Sequence, residues 1–493
     1  MKKFILIFIL LTAMLLLISS CAKETVGNTS TSENTTANTG DLTDTDAVVD
    51  KWAQEPNNLP QMNFNGREFN VIVQDEGEDR AYNKFAVEEQ TGDAIIDALY
   101  KRNLAVEERY NIKIKFTNHT APSEIARKSI LAGDNQYDLI VDFILFERDL
   151  ASRKLLADLY TVPYVRDGLD KSWWDHALKR DLSINNKLFF GAGHIVLRDK
   201  LRTSCILFNK KLGKDLGIDY PYQYVYNDTW TLDKLIELSK GVNRDLNGDG
   251  VIDQYDQWGL LGFASFAAYV LNTSGEKAIG LNKDGIPEIT MNAPRALDVI
   301  NKILAFCAEK EAMFFTEDIK NAENIWYKAD EYFAEDRFFM RIGIVEHVLR
   351  LRDMVTDFGV VPMPKFDERQ ENYYSHIDNG AYVVGIPQNA DLEFSGLITE
   401  ALAYESGSTL MPAFYDVTLT SKQLRDDESE GMLDIIFANR SYDIGFMYGI
   451  GSFPNILNDL VSRKSTDFVS AYDKAESSNA RALEKFIENY DKD

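Results

Sequence analysis

The sequence has very few cysteines, and this excludes a fold held together by a disulfide framework. Three of its 493 residues are cysteine, and one of them, Cys21, lies near the N-terminus. Cys205 lies in the apolar run SCILF, and Cys307 lies in the helix-like run LDVINKILAFCAEK. These surroundings predict two buried free thiols. A single disulfide between Cys205 and Cys307 is the alternative.

Positive charge is also scarce. The chain has 53 Lys and Arg residues against 78 Asp and Glu residues, which gives a net charge of −25. Nucleic acids and anionic lipid surfaces attract proteins through a broad basic field, and this composition does not supply one. We therefore expect no nucleic acid partner and no lipid binding through a basic surface.

The catalytic motifs of the common enzyme classes are missing. The sequence contains no HExxH, no GxSxG and no P-loop, and GAG at 191–193 lacks the third glycine of a dinucleotide-binding loop. No two of the five histidines pair at metal-ligand spacing; they are His119, His176, His194, His347 and His376. We therefore expect a protein that is not an enzyme. A glycoside hydrolase needs only two carboxylates flanking one bond, so this class stays open among 78 acidic residues.

The N-terminus carries an apolar run that predicts secretion. Lys2 and Lys3 precede an uncharged run over residues 4–18, which is short for a membrane span and has the layout of a secretory signal. The following run, ISSC at 18–21, resembles a bacterial lipobox. The resemblance implies that Cys21 is lipidated, for example with palmitate, and anchors the mature protein to the outer face of the cell membrane. An ordinary signal peptide with a chance cysteine is the alternative.

A polar segment separates this signal from the folded part of the chain. Residues 22–46 are almost devoid of large apolar side chains, so they bury too little surface to offset chain entropy. We predict a signal peptide over residues 1–20 and a disordered polar tether over residues 21–60. The rest of the chain is too long for one core and predicts two lobes.

Strand and helix patterns alternate in the first part of this body. EFNVIVQD at 68–75 and NIKIKF at 111–116 have β-type patterns, with helical spacing of apolar residues between them over 93–110. A further helix pattern leads to the strand YDLIVDFI at 137–144. Repeated βα units predict an α/β fold with a mostly parallel sheet. We also expect a hairpin at NKDG, a helix capped by Thr231, and a strand pair formed by FGVVPMP and GAYVVGIP.

The run RDLNGDGVIDQYDQWGL at 244–260 has the ligand spacing of a calcium loop. Gly250 stands at loop position 6, where the turn is sharp, and an Asp closes the loop where a longer Glu is usual. The predicted calcium ligands are Asp245, Asn247, Asp249, Val251 through its carbonyl, Asp253 and Asp256.

This loop follows a helix pattern and runs into the strand pattern QWGLLGF, whereas a regulatory EF-hand has helices on both sides. We therefore predict a structural calcium ion that fixes a helix-to-strand turn, remote from any ligand site. A metal-free turn rich in Asp, Asn and Gly is the alternative.

The order of several motifs resembles the family 1 extracellular solute-binding proteins, of which maltose-binding protein is the best-known relative. These motifs are the lipobox, the polar tether, the βα lobe, INNKLFFGAG, CILFNKKL, TWTLDKLIELSK, the calcium-type loop ending in WGL, FGVVPMPKFD and NGAYVVGIPQNA. The resemblance implies a two-lobed periplasmic-binding-protein-like fold (type II), whose discontinuous lobes are joined by crossing hinge segments.

The resemblance also implies where the chain passes between lobes. We predict lobe one over 61–203 and 360–406, and lobe two over 204–359 and 407–493. The expected crossings lie near 202–206, 357–362 and 404–410.

Sugar sites combine aromatic platforms with side chains that make charge-assisted hydrogen bonds, and in this family such groups lie at strand ends facing the cleft between the lobes. The matching positions here are Asp142, Phe143, Trp173, Trp174, Arg202, Glu346, His347, His376, Asp378 and Asn379. Solvated polar side chains and a Trp pair buried in the core are the alternatives for these residues.

The resemblance therefore implies a solute-binding lipoprotein that captures a small polar solute, a sugar or oligosaccharide first among them, and delivers it to an ABC permease. Two alternative functions agree with the same sequence features. One is a surface enzyme acting on glycosides, and the other is a sensory lipoprotein that passes its bound solute to a membrane receptor.

Overall fold

The protein is described by a computed structural model that covers Trp52, residues 54–75, Gly77, residues 80–420 and residues 427–491. The predicted signal peptide, Cys21 and most of the predicted tether lie outside the described residues. Within the described part, no helix is both long enough and apolar enough to cross a membrane.

The described strands are β1 Arg67–Gln74, β2 Ile112–His119, β3 Leu139–Phe143, β4 Ser204–Asn209, β5 Trp258–Gly262, β6 Ile279–Leu281, β7 Pro287–Ile289, β8 Phe314–Phe315, β9 Phe338–Ile344, β10 Phe358–Val361, β11 Ser375–His376, β12 Tyr382–Gly385 and β13 Arg440–Ser441.

The described α-helices are Ala94–Tyr110, Pro122–Ala132, Ile144–Ser152, Val165–Gly168, His176–Leu182, Arg198–Leu201, Lys210–Leu216, Tyr222–Tyr226, Leu232–Ser239, Phe266–Thr273, Pro294–Ala308, Ile325–Ala334, Glu346–Arg350, Leu392–Ser408, Leu410–Pro412, Asp427–Ala438, Ile444–Tyr448, Phe453–Ser462 and Phe468–Asp491. Short 3₁₀ turns lie at Ala81–Asn83 and Thr316–Asp318, and a π-helical segment lies at Ala413–Thr420.

The first sheet has the strand order β12-β3-β1-β2 among the described residues. β1 pairs in parallel with β2 and β3, as the repeated βα pattern predicted, and β12 joins in antiparallel orientation. The connecting helix Ala94–Tyr110 begins where the Asp93 side chain accepts hydrogen bonds from the backbone N–H groups of Ile95 and Ile96. It ends at Asn111, whose φ of 47° turns the chain into β2.

The second sheet has the order β10-β4-β9-β5-β8. Every residue of β4 and β9 is buried, which makes them central strands covered on both faces. Cys205 in β4 and Cys307 in the helix Pro294–Ala308 are both buried and free, which confirms the prediction of two free thiols. Burial raises the pKa of the Cys307 thiol to about 12, so it is not a reactive thiolate.

Several local predictions are confirmed. β6 and β7 form an antiparallel hairpin around NKDG. The Thr231 hydroxyl accepts a hydrogen bond from the backbone N–H of Lys234 at 3.3 Å and caps the helix Leu232–Ser239. The mixed helix and sheet content confirms the predicted α/β class.

The expected pairing of FGVVPMP with GAYVVGIP was wrong. β10, in the first motif, pairs with β4 in the second sheet, and β12, in the other motif, pairs with β3 in the first sheet. The two strands cannot meet because the intervening segment carries the chain from one sheet to the other.

The chain passes between the sheets along three adjacent segments, 202–204, 375–378 and 439–441, which we call the hinge segments. β11 pairs in parallel with β13, and Thr203 bridges Ile377. The backbone N–H of Asp378 also donates to the carbonyl of Arg202 at 3.0 Å. Of the other expected crossings, 357–362 contains β10 and 404–410 lies at the end of the helix Leu392–Ser408. The residue limits of the two lobes remain a prediction.

Candidate functional site

A cavity of about 470 Å³ opens beside the hinge segments, and we call it the hinge cavity. Its walls come from the hinge, the end of β9, the loop after β5, the start of the helix Ile325–Ala334 and the C-terminal helices. Five of the sequence-predicted residues lie in this wall: Arg202, His347, His376, Asp378 and Asn379. They come from three separate parts of the chain that the fold brings together.

A second cavity of about 840 Å³ adjoins the first, and we call it the outer cavity. It lies between the segment 80–96, next to the first sheet, and residues 327–354, next to the second sheet. Tyr327 and Arg350 line both cavities. The two cavities therefore adjoin each other, and we call them together the cleft. The volume of each suits a small organic ligand.

One wall of the hinge cavity is aromatic. Trp326 is 41% exposed and lies 6.0 Å from Phe263, which in turn contacts Tyr269 at 5.0 Å between ring centroids. Tyr327 and Phe446 complete this surface. Aromatic faces of this kind pack against the apolar faces of sugar rings.

Sequence reasoning did not identify Trp326 or Tyr327. The available signal is weak: two aromatic residues occupy the first turn of a helix, directly after the capping residue Asn324. Helix periodicity alone does not show that the side chains of this turn line a cavity instead of packing in the core.

Glu346 lies directly behind the cavity wall and organises the arginines there. Its side chain is 1% exposed, and Arg350 donates to it at 3.0 and 2.5 Å. Arg202 Nε lies 3.4 Å from the same carboxylate. Burial raises the pKa of Glu346, but Arg202, Arg350 and Arg198 more than offset this and hold the pKa below its usual value. Glu346 therefore positions arginines and is not itself exposed to a ligand.

Arg202 is the arginine with the greatest donor capacity in the hinge cavity. Its side chain is 20% exposed, and its contacts are ion pairs at 3.4 Å with Glu346 and 3.7 Å with Asp378. Its Nε is buried and makes no hydrogen bond within the described residues. Arg202 lines the cavity, so the terminal N–H groups of its guanidinium can donate to the oxygen atoms of a ligand.

Asp378 and the two histidines supply the other polar groups. Tyr269 donates to Asp378 at 3.1 Å, and Asp378 is the one carboxylate among the described residues that line this cavity. Burial lowers the pKa of His376 to about 4, so its ring is neutral at physiological pH. Its Nδ1 contacts the amide oxygen of Asn272 at 3.1 Å, which cannot donate, so Nδ1 carries the proton and Nε2 is an acceptor. Burial and nearby arginines hold the pKa of His347 well below its usual value, so this ring is neutral as well.

The structure removes Asp142 from the set of candidate ligand contacts. Its side chain is fully buried and accepts hydrogen bonds from the Ser123 hydroxyl at 2.6 Å and the Ser123 backbone N–H at 3.1 Å. It anchors the start of the helix Pro122–Ala132 to β3. Phe143, next to it, packs against Tyr382 at 5.2 Å and lies under the Arg198 guanidinium at 5.1 Å. Neither residue lines the hinge cavity.

Trp173 and Trp174 were predicted as aromatic platforms, and the structure places them in the core instead. They are 1% and 4% exposed. Both indole N–H groups donate to the buried Glu400 carboxyl, at 2.7 and 2.8 Å. An indole held by both its ring and its N–H has no surface left for a ligand.

The predicted calcium loop is ordered by its own backbone. Asp245 accepts hydrogen bonds from the backbone N–H groups of Gly248 at 2.6 Å and Gly250 at 2.8 Å, and these donors lower its pKa. Asp256 is fully buried and accepts from the N–H groups of Leu246 and Asp253, both at 2.9 Å. In the part of the chain that is described, no cluster of three or more His, Cys, Asp or Glu side chains is arranged to hold a metal ion. Calcium binding remains a prediction.

Comparison with known proteins finds similarity in structure and none in sequence. No protein-family model and no curated protein matches the chain. An ABC substrate-binding protein from Listeria monocytogenes in complex with cycloalternan superimposes with a TM-score of 0.55 at 12% identity, covering 85% of this chain and 99% of that chain.

A cyclo/maltodextrin-binding protein complexed with maltotetraose gives a TM-score of 0.57 at 15% identity, covering 86% of this chain and 98% of that chain. An ABC transporter solute-binding protein from Thermotoga lettingae bound with α-D-tagatose gives a TM-score of 0.50 at 12% identity, covering 86% of this chain and 100% of that chain. The described body therefore has the two-lobed α/β fold of the ABC substrate-binding proteins.

Proposed function

We propose that this protein is an extracellular solute-binding lipoprotein that captures a carbohydrate in the cleft and delivers it to an ABC permease. The observation that carries the proposal is the cleft itself, where an exposed aromatic wall faces Arg202, Asp378 and neutral histidines beside the hinge. The solved structures that share this fold hold cycloalternan, maltotetraose and tagatose, which supports a carbohydrate as the solute.

The chemistry of the wall fits a polyhydroxylated ring. Trp326 and Tyr269 offer apolar faces, while Arg202 donates hydrogen bonds and Asp378 accepts them. Because the cleft has walls from both sheets, a solute contacts both only when the cleft is closed. Its binding energy therefore favours the closed form, which is the form a permease would receive.

The hinge cavity supports reversible binding better than hydrolysis. A glycoside hydrolase needs two carboxylates that flank the scissile bond, and Asp378 is the carboxylate that the described residues place in the wall of the hinge cavity. The lining of the outer cavity contains Asp93, Asp330, Glu331 and Asp353, so the shortage of carboxylates holds for the hinge cavity alone. Glu346 is buried and ion-paired, with a lowered pKa that makes it a poor acid. A sensory role would use the same site with a membrane receptor as partner, and the presence of neighbouring permease genes would favour transport.

The test is a thermal-shift screen with a carbohydrate library, followed by calorimetric titration of the hits. A ligand that binds only the folded state raises the melting temperature by mass action. Trp326→Ala should weaken binding by about 1–2 kcal/mol if the indole packs on a sugar ring. Tyr226→Ala, which truncates another exposed aromatic residue (52% exposed) outside the cleft, is the control. Recovery of a hydrolysed ligand would replace the proposal with the enzyme alternative.

A further inference from the structure

A third cavity, of about 200 Å³, borders the hinge segments, and we call it the rear cavity. None of its described lining residues belongs to the hinge cavity or to the outer cavity. One part of its wall is basic and consists of His194, Lys200 and Arg440, the last of which lies in the hinge segment 439–441. Because a cavity of about 150 Å³ is enough to hold benzene, the rear cavity has room for a small organic ligand.

The rear cavity and the hinge cavity lie on opposite faces of the small sheet that β11 and β13 form in the hinge. His376 and Ser441 are partners in this sheet, and both contact the Asn272 amide at 3.1 Å, so they point to the same face. His376 lines the hinge cavity on that face. Arg440 precedes Ser441 in β13, and consecutive residues of a strand point to opposite faces. The rear cavity, which Arg440 lines, is therefore separate from the cleft.

The basic wall of the rear cavity retains hydrogen-bond donors. Arg440 Nη1 donates to Asp199 at 2.9 Å and Nη2 lies 2.9 Å from Asp175, whereas a guanidinium has five N–H donors. The Nδ1 of His194 is buried and makes no hydrogen bond within the described residues. Burial, Lys200 and Arg440 lower the pKa of His194 to about 3, so its ring is neutral. Buried polar atoms almost always have a partner, so this wall suits a ligand oxygen that accepts N–H groups.

Another part of the wall is aromatic and carries a carboxylate. The Tyr415 ring lies 5.8 Å from Trp52 at an interplanar angle of 64°, and 6.1 Å from Phe437 at 59°. Rings set at such angles form a curved wall and not a flat stack. The Tyr415 hydroxyl donates to Asp434 at 2.6 Å, and the exposed Asp434 also lines the cavity. Aromatic faces beside a carboxylate attract an organic cation.

The two walls together define the charge of a matching ligand. Asp175 and Asp199 already balance the charges of Lys200 and Arg440, so the further negative charge of Asp434 disfavours a simple anion. A simple cation cannot accept the N–H groups of the basic wall. A zwitterion satisfies both walls.

The cationic group of such a zwitterion is best matched by a quaternary ammonium. A primary ammonium carries three N–H donors that need acceptors, and Asp434 is the one carboxylate among the described residues that line the rear cavity. A quaternary ammonium has no N–H group and is bound by the faces of aromatic rings.

We propose that the rear cavity is a second ligand site, which takes a small zwitterion with a quaternary ammonium group and a carboxylate. The aromatic wall and Asp434 hold the cationic group, and Arg440 and His194 donate hydrogen bonds to the carboxylate. The inference does not rest on the proposed function, because it uses no residue of the cleft.

The experiment is calorimetric titration of the full chain with trimethylglycine, the smallest probe of this class. Two further probes of similar size each lack one end of the zwitterion: choline has no carboxylate, and 3,3-dimethylbutanoate has no positive charge. We expect trimethylglycine to bind about tenfold more tightly than either, because each of the other two loses the contacts of one wall.

Two substitutions locate the bound probe. Asp434→Asn removes the negative charge and keeps an amide oxygen for the Tyr415 hydroxyl, and Trp52→Leu removes an aromatic ring and keeps an apolar side chain. Each should weaken trimethylglycine binding by about fivefold. Asp215→Asn, at a surface position whose side chain is 53% exposed, and Trp326→Ala, in the hinge cavity, are the matched controls. Both controls should bind the probe as the wild type does.

Three outcomes would overturn the inference. The first is that trimethylglycine does not bind. The second is that choline or 3,3-dimethylbutanoate binds as tightly, which would show that one wall makes no contribution. The third is that Trp326→Ala weakens binding while Asp434→Asn and Trp52→Leu do not, which would place the probe in the hinge cavity. None of these outcomes affects the carbohydrate screen, so the proposed function is tested separately.

Discussion

At the scale of single residues, three of the six tryptophans fall into two groups according to their surroundings. Trp173 and Trp174 are buried, and both donate to Glu400. Trp326 is 41% exposed in the wall of the hinge cavity. The first pair stabilises the core, whereas the third residue has a free face that a sugar ring could cover.

Glu400 carries a pH-dependent contribution to stability. Burial raises its pKa to about 7, although the two indole N–H groups partly oppose this. A carboxyl group whose pKa is higher in the folded state stabilises the fold at low pH, and this contribution is lost as the pH rises through about 7. We expect the free energy of unfolding of the wild type to fall between pH 5 and pH 8, relative to Glu400→Gln. Urea unfolding of both proteins across this range measures the difference.

Glu400→Gln also removes an acceptor for one of the two indole N–H groups. This loss lowers the free energy of unfolding by the same amount at every pH, so it does not affect the pH dependence of the difference. A difference between the two proteins that stays constant from pH 5 to pH 8 would show that Glu400 does not titrate there.

At the scale of elements, the loop Asp245–Asp256 and the hinge cavity lie at opposite ends of β5. The loop precedes Trp258, whereas Phe263 follows the strand and lines the cavity. A strand of five residues spans about 16 Å. The loop is therefore placed to support the sheet and not to touch a solute in the hinge cavity.

We predict that calcium bound in this loop stabilises the fold without changing ligand affinity. A chelator should lower the melting temperature of the wild type, and added calcium should restore it. The double variant Asp245→Asn, Asp249→Asn should melt near the chelated wild type, because it lacks two of the carboxylate ligands. Differential scanning calorimetry with and without calcium checks this. No response of the wild type to chelation would establish a metal-free turn.

At the scale of the whole molecule, the two sheets are linked by the three hinge segments, and the cleft opens beside them. We predict that a bound carbohydrate makes the protein more compact, because only the closed form allows contacts with both walls. Small-angle scattering should show a smaller radius of gyration with saturating ligand, at one ligand per chain. Trp326→Ala at the same ligand concentration should show a smaller change. Tight binding without compaction would contradict the closing mechanism.

The predicted lipid anchor belongs to the same scale, although Cys21 lies outside the described residues. We expect Cys21→Ala to leave the body folded and to release it from the membrane fraction. Lipid labelling and fractionation of both proteins measure this, with Cys307→Ser as the control because that thiol is buried in the body. Unchanged labelling of Cys21→Ala would remove the anchor hypothesis.

Local features of the fold were determined by the sequence itself. The alternation of apolar residues placed β1, β2 and the helix between them, and Thr231 and NKDG marked a cap and a hairpin. Each of these depends on side chains a few residues apart, which interact in the same way whatever the rest of the chain does. The sequence also placed Arg202, His347, His376 and Asp378 near strand ends, and strand ends meet at the edge of a sheet.

Only the tertiary structure decided which of those positions share a cavity and which are buried. It separated β10 from β12, placed Trp173, Trp174 and Asp142 in the core, and brought Trp326 and Tyr327 to the cleft. The physical reason is that exposure and partnership depend on contacts between residues far apart in the chain. Trp173 and Glu400 are 227 positions apart, and Tyr269 and Asp378 are 109 positions apart. No local pattern records such pairs, so the sequence by itself determined the elements and the fold determined the site.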